Sequence, residues 1–98
     1  MDTSNLSKLG SFILAASERK AKRQGLKRYS LRSLATDAGT AQPYLTRVIH
    51  GRAHPSRNML IKLCKALNCT PQEAAEIFSA TEYRAPGLDE MELPAVAA

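Results

Sequence analysis

The sequence predicts an all-α domain of five helices, and three observations carry that reading. Apolar residues return at i, i+3, i+4 and i+7 along five segments. Each segment is bounded by residues that cap or stop a helix, and no stretch alternates apolar and polar side chains as a half-buried strand does. A chain of 98 residues with 44% hydrophobic and 23% charged side chains has an ordinary globular composition and room for one compact core.

The first helix is expected from about Asn5 to Gln24, with Leu6, Leu9, Ile13 and Ala16 on one stripe and Gly25 at its exit. Ser30 is a good N-cap for a second helix over Leu31–Ala38, with Tyr29 and Leu34 placed as a hydrophobic staple. Its apolar set is Leu31, Leu34, Ala35 and Ala38, and Gly39 supplies the residue that can turn left-handed. A third helix must follow at once and at a sharp angle. Pro43 is tolerated only in a first turn, so that helix starts near Thr40 or Ala41. At about 100° per residue, Ala41, Leu45, Val48 and Ile49 share an arc of about 100°, while Gln42, Pro43, Thr46, Arg47 and His50 occupy an opposite arc of about 140°. One face packs and the other points outward.

Gly51 ends the third helix, and Ser56 caps a fourth running to Leu67, with Met59, Leu60, Leu63, Cys64 and Leu67 as its buried stripe. Asn68 can take the left-handed exit. Thr70, Pro71 and Glu73 then supply an N-cap, an N1 proline and a capping box for a fifth helix to about Ala80. The domain is therefore placed at residues 1–83. Residues 84–98, with Pro86, Gly87, Pro94, Asp89, Glu90 and Glu92, are expected to form a flexible acidic tail.

The net charge of +5 is unevenly spread. Residues 1–57 carry eleven Lys or Arg against three acids, a balance of +8, and residues 58–98 carry three against six, a balance of −3. A positive field concentrated in one half suits a polyanionic partner and excludes uniform coating of one. Cys64 and Cys69 match neither a metal nor a redox spacing and are expected in the core. His50 and His54 lack partners at ligand spacing, so no metal and no cofactor is expected. The apolar run Phe12–Ala16 is too short for a signal peptide or a membrane span, which points to the cytoplasm and away from membranes. No Ser/His/Asp grouping, paired carboxylates or glycine-rich phosphate loop stands out, so the chain reads as a non-enzyme.

The segment Leu31–Gly51, LRSLATDAGTAQPYLTRVIHG, resembles the helix-turn-helix of the Cro and phage-repressor type (Xre-like). Small Ala35 lets two helices approach, Gly39 makes the turn, and Leu45 and Val48 anchor the third helix. The resemblance continues through GRAHPSRNMLIKLCKALNCTPQEAAEIF and covers about residues 30–80. This chain departs from the pattern at Ile49, where the family often carries an acid, and Ile49 is expected to pack instead. It departs again at Ala41, where a capping Ser or Thr is common.

The resemblance implies a repressor-like domain that places helix 41–50 in the major groove of duplex DNA. By it, Gln42, Pro43, Thr46 and Arg47 are the candidate base-reading residues. Ser30, Arg32, Tyr44, His50, Arg52 and Arg57 lie where the family meets the sugar-phosphate backbone. The implied activity is sequence-specific transcriptional regulation, as a repressor and as a homodimer on a pseudo-palindromic operator. The alternative is an antitoxin-type module that neutralises a protein partner through tail residues Leu88, Met91, Leu93 and Val96. The cluster Arg19, Lys20, Lys22, Arg23, Lys27 and Arg28 reads equally as a second phosphate-binding strip or as a solvated helix end.

Overall fold

Serine and threonine hydroxyls set four of the five helix starts. In the computed structural model, which describes residues 6–87 and Glu90, the helices are α1 (Lys8–Arg23), α2 (Leu31–Ala38), α3 (Gln42–Ile49), α4 (Arg57–Ala66) and α5 (Pro71–Ser79). Ser7, Ser30, Ser56 and Thr70 cap α1, α2, α4 and α5, each accepting from a backbone N–H three residues on. Thr70 and Glu73 complete the expected capping box. Ala41 caps α3 without a side-chain bond, and Pro43 sits in its first turn. Among the described residues there is no strand.

The start of α1 differs from expectation. Leu6 and Ser7 are not helical, because Ser7 serves a tertiary contact as well as a cap. Its Oγ accepts from the Gly10 N–H at 2.9 Å, while its own N–H and Oγ donate to the Ile49 carbonyl at 3.0 and 2.9 Å. A bond across 42 residues therefore decides where the helix begins. Met59 also departs from its expected place, being half-buried beside the core rather than within it.

The core runs through all five helices, from Leu9, Ile13 and Ala16 to Ile77 and Phe78. Leu34, Leu45, Leu60, Leu63, Cys64 and Leu67 at its centre are fully enclosed. Helix α2 packs on α3 and α4, and α1 packs on α3 and α5. Cys64 and Cys69 are buried free thiols, and hydrogen bonding to Cys64 first, then burial, pushes the Cys69 thiol up. Of the tail, residues 84–87 are neither helix nor strand, and Leu88, Met91, Leu93 and Val96 lie outside the described residues.

Half of the basic cluster at the end of α1 is structural. Lys20 is buried, donates its ammonium to the Ala66 carbonyl and lies 4.2 Å from the centre of the Tyr29 ring. Arg23 donates to the carbonyls of Leu67 and Asn68, both at 3.2 Å, and so serves the open C-terminal end of α4. Arg19 and Arg23 reach the Glu73 carboxylate at 2.9 and 3.5 Å. These residues clamp α1 to the α4–α5 corner. Lys20 is enclosed in that clamp, whereas Arg19 and Arg23 remain partly exposed while holding their partners.

Burial pushes the Glu73 carboxyl up, but the Thr70 N–H and the two guanidinium groups outweigh it and hold it below the usual value. Its stabilisation is thus present above the unfolded-state pKa of about 4.3 and lost as pH falls through the lower folded value. Glu73→Gln should cost about 1 kcal/mol at neutral pH, a modest figure because both arginines are partly exposed and screened. Denaturant titrations of both proteins should show that gap closing below about pH 4; a gap that is independent of pH would contradict the assignment.

Candidate nucleic-acid interface

The angle between α2 and α3 is set by two residues. Gly39 adopts φ 74°, and the Gly39 and Thr40 N–H groups close the end of α2 on the carbonyls of Thr36 and Ala35 at 3.1 and 2.9 Å. A side chain at this φ would be strained, so glycine permits the turn. Ala35 is 2% exposed, small enough for the two helices to approach.

Leu45, Val48 and Ile49 anchor α3 and are no more than 1% exposed. Ile49 packs, as expected of a position that lacks the family's acid. Gln42, Pro43 and Arg47 are exposed on the other side, and Thr46 beside them is half-buried. The structure therefore brings all four candidate base readers onto one outward face of one helix. Tyr44 is half-buried at the edge of the core, and the Arg47 guanidinium lies 5.9 Å from the centre of its ring. That i, i+3 contact orients Arg47 along the helix.

The candidate phosphate contacts divide. Arg32 and Arg52 are exposed. Arg52 follows Gly51, and its N–H donates to the Arg47 carbonyl at 2.8 Å, which ties the loop to the end of the outward face of α3. His50 is the half-buried C-cap of α3. Ser30 spends its hydroxyl on the Ser33 N–H and the Ser33 hydroxyl, both at 3.1 Å.

Arg57 is fully engaged by the tail. Its guanidinium donates to both Glu90 oxygens at 2.7 and 3.1 Å and to the Arg84 carbonyl at 3.1 Å. The guanidinium, helped by the Gly87 N–H at 3.0 Å, holds the Glu90 carboxyl down at about 2. Tyr83 ties the same strap to the loop before α4 by donating to the Pro55 carbonyl at 3.0 Å. Sequence reasoning missed this pairing because a residue separation of 33 leaves no local pattern.

Among the described residues no group of three His, Cys, Asp or Glu side chains could hold a metal ion, and no helix is long and apolar enough to cross a membrane. Comparison with family models matches residues 20–73 to a family described as helix-turn-helix. Comparison with curated proteins and with solved structures returned no match.

Proposed function

The chain belongs to the helix-turn-helix family, of the Cro and phage-repressor type, whose members are DNA-binding regulators, and from that premise we propose that it represses transcription by reading the major groove of an operator with α3. The division of α3 into a buried side, Leu45, Val48 and Ile49, and an outward side, Gln42, Pro43, Thr46 and Arg47, is the observation that carries this reading. Gln42 suits adenine and Arg47 suits guanine, through bidentate bonds to the base edge. Arg32, Arg52, Tyr44 and His50 take the flanking phosphates, and Ser30, its hydroxyl engaged by Ser33, contributes through the backbone amides at the start of α2 that it presents. Arg57 joins them by exchanging Glu90 for a phosphate.

One module of this size covers little DNA, so the regulator acts as a homodimer on a pseudo-palindrome with half-sites about 34 Å apart. It works in the cytoplasm, without cofactor and without catalysis. With about six phosphate contacts, log affinity should fall against log salt with a slope near −5. Binding titrations on duplexes selected from a random-sequence library measure that slope, and light scattering of the complex counts the chains. Salt-independent binding, or one chain per intact operator, would contradict the reading.

A further inference from the structure

The basic cluster that the sequence left undivided separates in three dimensions into two sets. Arg19, Lys20 and Arg23 are consumed by Glu73 and by the carbonyls at the end of α4. Lys22, Lys27 and Arg28, joined from outside the cluster by Arg32 of α2, are exposed, and their side chains make no hydrogen bond or ion pair with any described residue. These four line one open groove of about 1040 Å³ between α1 and the start of α2. Glu18 is the one acid among its described lining residues. Gln42, the first residue of the reading helix, lies in the same wall.

Cations of one sign, gathered without internal partners, keep their charge for an external anion. Continuity with Gln42 and Ser30 says which anion. A duplex seated on α3 must carry its sugar-phosphate backbone past this end of the module, where the next phosphates meet Arg32 and then the loop that holds Lys27 and Arg28. We infer that this groove is a second phosphate-binding surface, which grips the DNA backbone outside the base pairs read by α3. The inference rests on the operator-binding reading and extends its footprint.

The surface is lost in the combined variant Lys22→Ala, Lys27→Ala, Arg28→Ala. All three positions are exposed, so the fold is retained, and circular dichroism melting confirms it. Two duplexes from the selected operator serve as probes: one trimmed to the base pairs under α3, the other extended by about 10 bp, one helical turn, on each side. The full-length protein should bind the extended duplex more tightly, and the variant should lose that gain while binding the trimmed duplex as before. On the extended duplex its salt slope should be shallower by about 3, at about 0.9 for each phosphate. An unchanged slope and an unchanged gain in the variant overturn the groove and leave the operator reading intact. Failure of the unaltered protein to bind any selected duplex overturns the operator reading first, and the groove with it.

Discussion

Gly10→Ala is expected to destabilise the protein by about 3 kcal/mol, although glycine to alanine inside a helix ordinarily stabilises by about 1 kcal/mol. The sign reverses because α1 crosses the end of α3 at this residue. A Cβ on Gly10 would stand 2.1 Å from the Ile49 carbonyl oxygen and 2.8 Å from its carbon, both backbone atoms that no rotamer change can move. Relief requires α1 to back away from α3, which breaks the paired bonds from Ser7 to that same oxygen. For a domain of this size the loss corresponds to a fall in melting temperature of about 12–24 °C. Calorimetry on the variant checks it, and a melting temperature at or above that of the parent would show that the crossing is looser than described. DNA affinity should fall with it, since Ile49 is the last residue of α3, the helix proposed to read the operator.

The second large effect separates specificity from affinity. Arg47→Ala should cost roughly 1–3 kcal/mol on the selected operator and flatten preference at one base pair. Its exposed guanidinium, set along the helix by Tyr44, lies more than a turn beyond Gln42, so under the proposed reading it meets a different base edge from the one at the helix start. Arg52→Ala should weaken every sequence alike and lower the salt slope by about 1, because Arg52 stands past Gly51, outside the helix. A panel of single-base operator changes measured against both variants decides the matter. Uniform losses for Arg47→Ala would move that residue to the phosphate group and leave Gln42 and Thr46 as readers.

Much of the fold was legible because its signals are local. Ser30, Ser56 and Thr70 with Glu73 announce helix starts through bonds spanning three residues, and Gly39 and Asn68 announce ends through left-handed backbone at φ 74° and 55°. The outward face of α3 follows from the helical repeat alone. The contacts that were not legible join residues far apart in the chain. Ser7 to Ile49, Lys20 to Ala66 and Arg57 to Glu90 span 42, 46 and 33 residues, and no periodicity encodes such pairs. The basic cluster could not be divided for the same reason: its side chains look alike until the α4–α5 corner is in place to take three of them. Gly10 did leave a trace, as a glycine within a stretch that otherwise favours helix, where close backbone approach is the physical reason to look for.

The two sides of α3 have a consequence for how such a protein can change over generations. Attachment rests on Leu45, Val48 and Ile49, and under the proposed reading address rests on Gln42, Pro43, Thr46 and Arg47, with no residue shared between the sets. Substitutions at exposed positions ordinarily move stability by no more than about 0.5 kcal/mol, and effects at sites without shared partners add. A lineage can therefore rewrite the exposed positions Gln42, Pro43 and Arg47 one at a time and stay folded, and under the proposed reading each new side chain alters the preferred DNA. Thr46 and Arg47 are the slower letters of that code, the first because it is half-buried and the second because its stacking on Tyr44 ties it to a residue that also touches the core. Gln42 is the freer one, and divergence of operators among duplicated copies of this gene should begin there.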